Sequence, residues 1–325
     1  MRSQEVPSDI TTVMKVIATV SDMRCIAIVF NLESGLEQLI PMRPEFNDLS
    51  LKRVDSCNPF GITWFSEQIF IANNRQILVF DKKFNYVRTL TTLLQGNTHQ
   101  LSYHEGMIWA VSPWRNSLIA IPGESNIRCV EFDLLRKEAI EYCPIGGSES
   151  DDQYHFNSLL WTDTQLFVTA HAFGKESFIY CFDAATLCLQ SVLHNVGRSI
   201  HSVALHDGEL FWIDTNEGMI RSTLGFRHQL SKSGFARGLC VTRDYFVVGI
   251  SDRLPRRLRH TQGAWIQLID RRESRVLAEW RLGNTGGIKD LRLLDEYDYA
   301  HWQTPFQSLV GDLGERAFHQ ADPRG

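Results

Sequence analysis

Short apolar runs separated by polar turns make up most of this 325-residue chain. The runs are four to seven residues long, are rich in Val, Ile, Phe and Trp, and end at turn pairs such as Glu-Gly, Asp-Gly and Arg-Asp. Apolar positions at the helical spacing of three or four residues are nearly absent. Runs of this length and composition are typical of β-strands joined by tight turns. The pattern therefore predicts an all-β protein.

One strand–turn–strand unit recurs along the chain. Six copies have an equivalent position near the start of their first strand, and its occupants are Phe60, His99, Asn157, His201, Arg237 and Lys289. These positions are 36 to 58 residues apart, which leaves room for four short strands per unit. Such units are the signature of propeller blades. We predict a single β-propeller of about six four-stranded blades; five or seven blades, or a sandwich or barrel, are the alternatives.

The two ends of the chain are predicted to meet. Strand-like runs at residues 16–20 and 25–30 have no copy of their own, and the sixth copy stops short after Ala300. We expect the N-terminal strands to complete the last blade, because closing the ring removes exposed strand edges. Residues 1–304 would then form the propeller domain, and the polar residues 305–325 a peripheral or disordered tail.

Composition and charge narrow the choice of partners. Apolar residues make up 43% of the chain and charged residues 22%, which is ordinary globular usage. The net charge of -5 argues against a general nucleic-acid binder, which needs a basic surface. No apolar stretch has the roughly 20 residues that span a bilayer, and the N-terminus lacks the pattern of a signal peptide. We expect a cytoplasmic protein without a membrane partner, whose seven cysteines form no CxxC pair and are reduced and mostly buried.

Histidines concentrate where the innermost strands are predicted to begin. In a propeller these strand starts lie on one face near the central axis, where ligands bind. His155 and Asn157 are alternate residues on one strand and therefore point to the same side. We expect His99, His155 and His201 to converge near the axis, with Asn157 beside them. His171, at the end of a second strand, either joins this site or belongs to a surface loop.

Three interpretations of the converging histidines stay open. Three neutral imidazoles leave a coordination position for water or substrate, so His99, His155 and His201 are predicted catalytic residues and ligands of one divalent metal ion, zinc, iron or copper. The alternatives are a metal-free site and structural histidines that hydrogen-bond neighbouring blades inside a narrow channel. His104 and His206 lie in turns at the other end of the same strands, and we expect them at the surface.

Charged residues predicted on the same face suggest an anionic substrate. The guanidinium of Arg237 suits a carboxylate, phosphate or sulfate, and the alternative is a structural ion pair with Asp214 or Asp290. The loop at residues 252–263 contains four arginines and is predicted to cover an anion as a lid, unless it is ordinary solvated surface. The predicted substrate-binding residues are Asn157, Arg237, Asp214, Asp290, Arg256 and Arg257.

The blade motifs resemble those of a poorly characterised bacterial family of propeller-like proteins found beside tetratricopeptide, sulfotransferase and biosynthetic genes. The resemblance covers roughly residues 59–294, and the residues that match are His99, His155-x-Asn157, His201 and Arg237-Gly238. It implies the propeller fold and the position of the site, and it implies no reaction. The sequences GxGxxG, GxxxxGK[ST], HExxH and GxSxG are absent, so no nucleotide cofactor is indicated.

These patterns lead to two hypotheses about function. The first is an enzyme of bacterial small-molecule or modified-peptide metabolism that acts on an anionic substrate at the histidine-rich, metal-binding site. Its reaction type stays open, because metal-activated water, lyase-type proton abstraction and metal-bound oxygen chemistry need the same groups. The second is a non-catalytic propeller that binds a ligand or a protein partner through the same face.

Overall fold

Six antiparallel β-sheets surround a central axis in the computed structural model, and the protein is a six-bladed β-propeller. Five of these sheets have four strands each, and the sheet formed by residues 101–141 has five. The structure describes residues 14–22, 24–43, 59–73, 76–90, 98–122, 130–134, 138–141, 154–172, 175–303 and 305–306. Within these ranges no helix has the length and apolar character needed to cross a membrane. The predicted all-β fold and the blade number are confirmed.

The first three strands of the chain belong to the last blade: β1 (Lys15–Val20), β2 (Cys25–Asn31) and β3 (Gly35–Pro41). The strands of each blade are given from the axis outward. Blade 1 consists of β4 (Ile62–Phe65), β5 (Gln68–Ala72), β6 (Ile77–Phe80) and β7 (Tyr86–Leu90), and blade 2 of β8 (Leu101–His104), β9 (Met107–Ser112), β10 (Ser117–Pro122), β11 (Val130–Asp133) and β12 (Glu138–Glu141). Blade 3 consists of β13 (Phe156–Trp161), β14 (Gln165–Ala170), β15 (Phe178–Asp183) and β16 (Leu189–Leu193). Blades 4 and 5 are β17 (Ile200–His206), β18 (Glu209–Asp214), β19 (Met219–Ser222) and β20 (Arg227–Gln229), then β21 (Phe235–Val241), β22 (Tyr245–Ser251), β23 (Ala264–Asp270) and β24 (Arg275–Gly283). The inner strand of blade 6 is β25 (Ile288–Leu293), and 3-10 turns span Pro113–Arg115 and Arg256–Thr261.

The ring closes by pairing strands from opposite ends of the chain. β25 runs antiparallel to β1, with Val16 opposite Leu293 and Thr19 opposite Asp290. The backbone N–H of Lys15 also donates to the carboxylate of Asp295 at 2.9 Å. Blade 6 therefore combines one late strand with three early ones, as the uncopied N-terminal strands predicted.

The core lies between neighbouring blades. Every residue of β2 and of β13 is buried, which explains why β2 is a nearly continuous apolar run; in β13 the buried residues include the polar Asn157 and Ser158. Across one interface Ile17 of blade 6 packs in a cluster with Ile62 and Ile71 of blade 1. Each blade is thus covered on both faces by its neighbours, and the ring of interfaces forms the hydrophobic core.

Side chains from neighbouring blades satisfy backbone groups of the inner strands that have no partner in their own sheet. We call these contacts the interblade belt. Its members, with donor first, are Ile62 N to Asp290 Oδ2 (3.0 Å), Leu159 N to Gln100 Oε1 (2.8 Å), Ser202 N to Ser158 Oγ (2.9 Å), Ile288 N to Ser251 Oγ (2.9 Å) and Thr215 Oγ1 to Ala236 O (2.8 Å). Buried backbone groups require such partners, so the belt fixes how the inner strands sit beside one another.

Residues 295–303, which we call the axial plug, close the channel at the end where the inner strands finish. Tyr299 exchanges backbone hydrogen bonds with Val241 of blade 5 and Leu205 of blade 4, at 2.8 and 3.2 Å. The side-chain amide of Gln303 donates to the carbonyl of Tyr103 in blade 2 at 3.1 Å. The plug therefore ties several blades together, and the opposite end of the channel is the one that holds the strand starts.

The axial plug corrects one expectation drawn from the sequence. His206 was expected at the surface, but only 4% of it is exposed, because its ring packs against Tyr299 of the plug at 4.2 Å. His104 is partly covered as well, since it stacks on Trp161 at 4.3 Å. Of the predicted tail, Phe306 is buried against Trp64. The remainder, residues 307–325, lies outside the described part of the chain.

We predict that Ser251→Ala destabilises the fold through the belt. The substitution removes the acceptor of the buried Ile288 N–H, which should lower the free energy of unfolding by about 1–3 kcal/mol. Urea denaturation of wild type and variant measures this difference. The matched control is Ser233→Ala, an exposed serine outside the strands that should change stability by less than about 0.5 kcal/mol. Equal stability of the two variants would contradict the role of the belt.

His301 in the axial plug should make the fold sensitive to acid. Its ring centroid lies 4.5 Å from that of Trp64, and burial, followed by the positive charge of Arg292, lowers the pKa of His301 well below its usual range. The folded protein keeps this imidazole neutral, whereas the unfolded chain takes up a proton below about pH 6.5, so stability falls as the pH drops by up to about 1.4 kcal/mol per pH unit.

His301→Phe should therefore lose less stability than wild type between pH 7.5 and 5.5. Thermal midpoints at the two pH values test this, because phenylalanine keeps the contact with Trp64 and cannot bind a proton. His194→Phe, at an exposed position, is the control and should follow wild type. An unchanged pH dependence in His301→Phe would show that this histidine is not a source of acid sensitivity.

Candidate functional site

A small pocket of about 20 Å³ lies on the axis where the inner strands begin. Its lining includes all six residues that occupy the repeated position in the sequence: Phe60, His99, Asn157, His201, Arg237 and Lys289. Phe60 and His99 lie two residues before an inner strand, and the other four lie at the second or third residue of one. One side chain from every blade therefore reaches the same pocket.

β-Bulges direct these side chains in three consecutive blades. The pairing of inner and second strands is interrupted at Asn157, at Ser202 and at Gly238. Gly238 has φ +75°, and a Cβ there would lie 2.5 Å from the Cβ of Leu291 in blade 6. Ser202, at the same place in blade 4, also has a positive φ of 56°. Bulges of this kind re-aim side chains, and here the residues beside them, His201 and Arg237, line the pocket.

Four histidines form a continuous series beside the pocket, which we call the imidazole arc. The ring centroids of His99 and His155 are 5.1 Å apart, those of His155 and His171 5.4 Å, and those of His171 and His201 5.3 Å. Neighbouring rings meet edge to face. The structure thus brings together the three predicted histidines and adds His171, which the sequence had left undecided between the site and a surface loop.

The hydrogen bonds of His201 define its tautomer. Thr215 Oγ1 donates to the carbonyl of Ala236, so toward His201 Nδ1, 2.8 Å away, it can only accept. The carbonyl of Ser199, 2.9 Å from the same nitrogen, can only accept as well. Nδ1 therefore bears the proton, and the lone pair of Nε2 accepts a hydrogen bond from Arg237 Nε at 3.1 Å.

Arg237 is a buried cation that bonds to an imidazole. Only 9% of the residue is exposed, and its guanidinium lies 4.7 Å from the ring centroid of Phe235. Burial, and next the positive charge of Arg259, lowers the pKa of Arg237 to about 9. Within the described residues no carboxylate forms an ion pair with it; Asp214 and Asp290, the alternatives considered from the sequence, pair with Arg221 and Arg292.

The same charge keeps the neighbouring imidazoles neutral. Burial, followed by the positive charge of Arg237, lowers the pKa of His99 and of His201 well below the usual range. For His171, burial and then His155 and Arg237 lower the pKa to about 3. At neutral pH these rings are therefore uncharged, and the positive charge of the site resides on arginine and lysine.

Lys289 and Arg259 extend the positive charge. The ammonium of Lys289 lies 5.5 Å from the ring centroid of Phe60, and the guanidinium of Arg259 lies 5.9 Å from that of Phe235. We call Arg237, Arg259 and Lys289 the cationic arc. The pocket thus has a cationic side, from blades 5 and 6, and an imidazole side, from blades 2 to 4.

Several predicted substrate-binding residues have structural partners. Asn157 lines the pocket, but its amide donates to the carbonyl of Ile200 and accepts from two hydroxyls. Asp290 also lines the pocket while it belongs to the interblade belt and pairs with Arg292 at 3.2 Å. Asp214 is fully buried in its own turn, where Arg221 pairs with it at 3.0 Å. Its contacts lie outside the lining of the pocket.

The arginine loop lies close to the pocket, and the prediction for its residues Arg256 and Arg257 is not tested by the described side chains. Arg256 and Arg257 lie on the 3-10 turn Arg256–Thr261, and their side chains are outside what the structure describes. Among the described side chains of the loop, the guanidinium of Arg259 lies 5.9 Å from the ring centroid of Phe235. Phe235 was missed in the sequence, but its spacing of two from Arg237 on β21 places both side chains on the same side of the strand.

The trio His99, His155 and His201 does not fit a shared metal ion in this arrangement. Both ring nitrogens of His201 are engaged, one as a donor and one as the acceptor for Arg237, so it has no lone pair to offer. Among the described residues no group of three His, Cys, Asp or Glu side chains has the arrangement of a metal site. The donor set instead suits an anion on the cationic arc and proton transfer at a neutral imidazole.

Comparisons with known proteins identify the fold and go no further. No family model and no curated protein matches the chain. A chain in the crystal structure of a nidogen/laminin complex is similar in shape, with a TM-score of 0.59 and 7% sequence identity over 90% of this chain and 100% of that one. A chain of the mitotic checkpoint complex gives a TM-score of 0.48 at 12% identity, covering 87% of this chain and 94% of that one. At such identities the likeness concerns the propeller architecture alone.

Proposed function

We propose that this protein is an enzyme that binds a small anionic substrate in the axial pocket, with Arg237 and Lys289 holding the anion and His99 accepting a proton. The observation behind the proposal is the bonding of Arg237. Its buried guanidinium pairs with a neutral imidazole, and no carboxylate of the described residues forms an ion pair with it. A buried charge without a counter-charge is destabilising, and a bound anion would supply that counter-charge.

The two sides of the pocket would have different roles, anion binding on one side and proton transfer on the other. An anion held by the cationic arc directs the rest of the substrate across the axis toward the imidazole arc. His99 is the imidazole that lines the pocket and is not engaged by Arg237. The negative charge of a bound substrate would raise the low pKa of His99 toward neutrality, which makes it a better general base in the complex than in the free protein.

His201 is a positioning residue in this proposal. Its Nε2 accepts from Arg237 Nε, and its Nδ1–H is fixed by Thr215 and Ser199. With Nε committed, Arg237 presents its two terminal nitrogens to the ligand, the pair that suits an oxyanion. The resemblance to a bacterial family found beside biosynthetic genes supports small-molecule or modified-peptide metabolism as the setting. Binding without catalysis is the alternative.

Arg237→Gln should remove anion binding while the fold is retained. Titration calorimetry with acetate and with inorganic phosphate, at constant ionic strength, measures the affinity for each probe. We expect the variant to bind both at least about tenfold more weakly than wild type, since a charge-assisted hydrogen bond contributes about 1.5–3 kcal/mol. Arg227→Gln, on the outer strand β20, is the matched control and should bind like wild type. Equal affinities in wild type and Arg237→Gln would refute the anion site.

Proton abstraction can be tested without knowing the substrate. In D2O, a substrate whose C–H proton is removed by His99 exchanges it for deuterium, and its proton NMR signal disappears. A panel of small carboxylates and phosphate esters is incubated with wild type and with His99→Gln. We expect exchange of at least one compound with wild type and none with the variant, although both bind it. Binding without exchange throughout the panel would indicate the non-catalytic alternative.

A further inference from the structure

Most polar side chains in the wall of the axial pocket are occupied by the fold. The amide of Gln100 accepts from Leu159 N at 2.8 Å, and that of Asn157 donates to the carbonyl of Ile200 at 2.9 Å. The hydroxyl of Ser158 donates to the amide oxygen of Asn157 at 3.1 Å. These groups connect neighbouring blades and each other, so a ligand has to be recognised by other side chains of the same wall.

Arg237 and Ser202 line the pocket and keep unused hydrogen-bonding groups. Arg237 donates through Nε to His201, and among the described residues its two terminal nitrogens donate to no other group. Ser202 is only 3% exposed, and its hydroxyl has no hydrogen-bond partner in the described part of the chain, although its backbone N–H donates to Ser158. Buried polar groups normally have partners, so these two side chains point to a ligand in the pocket between them.

The backbone of Ser202 is strained for a serine. Its φ of 56° lies in the left-handed region, which residues other than glycine seldom adopt. Glycine occupies the matching bulge of blade 5, where Gly238 has φ +75° and adopts this conformation without steric cost. A hydroxyl without a partner adds no stability to the fold, so the fold alone does not explain a serine at this position. Backbone strain of this kind is typical of binding sites, which assigns the hydroxyl to the site.

The charges in the pocket wall favour a ligand with one negative charge. Lys289 and Arg259 both have further contacts in the structure, so Arg237 is the cation whose charge the ligand neutralises. Asp290 also lines the pocket, whereas its ion-pair partner Arg292 does not, so the carboxylate is the nearer charge of that pair. A second negative charge on the ligand would lie close to this carboxylate, and the two would repel each other.

We infer that the anionic group of the substrate is a carboxylate, held by the terminal nitrogens of Arg237 and the hydroxyl of Ser202. This inference rests on the anion site proposed above. A carboxylate has one charge and two oxygens in a plane, which match two parallel N–H groups of a guanidinium and leave lone pairs for the serine. A phosphate monoester has about two charges and a third terminal oxygen, for which a pocket of about 20 Å³ leaves little room. Ser202 is thus a further substrate-binding residue.

Small methyl compounds with different head groups test the inference by calorimetry on the full-length protein at pH 7.5 and constant ionic strength. Wild type should bind acetate at least about fivefold more tightly than methanesulfonate, a tetrahedral monoanion, and methyl phosphate, mostly a dianion. Acetamide, which has the shape of acetate without its charge, should bind at least about tenfold more weakly than acetate. N-acetylglycylglycine distinguishes two sources of the carboxylate: tighter binding than acetate identifies a peptide terminus, and equal or weaker binding a small free acid.

Variants separate this inference from the anion site itself. Ser202→Ala and Ser202→Gly should each bind acetate at least about fivefold more weakly without a lower thermal midpoint, because the hydroxyl they remove bonds to nothing in the fold. Ser233→Ala is the matched control and should bind like wild type. Equal binding of the three anions by wild type overturns the carboxylate assignment, and unchanged acetate affinity in both Ser202 variants overturns the role of that hydroxyl. In either case loss of binding in Arg237→Gln leaves the anion site standing, whereas a wild type that binds no anion defeats both proposals.

Discussion

A buried backbone N–H or C=O without a partner costs about 1–3 kcal/mol, and the inner strands of this ring place several such groups beside the axis. The interblade belt meets that constraint with side chains from the next blade, for example Ser158 for Ser202 N and Asp290 for Ile62 N. In blade 4, for example, His201 lines the pocket while the backbone N–H of the next residue, Ser202, bonds to Ser158 of blade 3.

Burial then determines the chemistry that the side chains lining the pocket can perform. Because desolvation and the charge of Arg237 act in the same direction, His99 and His201 stay neutral in a region of positive charge. A neutral imidazole can accept both a hydrogen bond and a proton, which a protonated one cannot. The guanidinium is tolerated because His201 accepts one of its donors and Phe235 lies against it. Arg237 is therefore the central charge of the site, because it bonds to His201 and helps to keep His99 and His201 neutral.

Much of this arrangement follows from features that are local in sequence. The repeated strand pair predicted the ring, the closing strands and the six residues around the pocket, because each copy has its own turn and its own apolar period. The partners of Asp290 and Asp214 could not be predicted from the sequence. Asp290 accepts a hydrogen bond from Ile62, 228 positions away, and Asp214 forms an ion pair with Arg221 of its own blade. Arg259 is one of four arginines in a loop, and nothing local in the sequence marks it as the one that lies near Phe235. The axial plug has no repeat signal, because it occurs once and contacts many blades.

The closing of blade 6 also determines when the ring can form during synthesis. The backbone N–H of Asp290 in β25 donates to Thr19 in β1, and 271 positions separate the two residues. A ribosome releases β1, β2 and β3 long before it releases β25, so β1 has no β25 to pair with while the five other blades are made. During that interval the open edge of β1 could pair with the edge of another nascent chain. The last inner strand to emerge is therefore the one that ends this exposure, and the time needed to translate residues 42–287 determines how long the edge of β1 stays exposed.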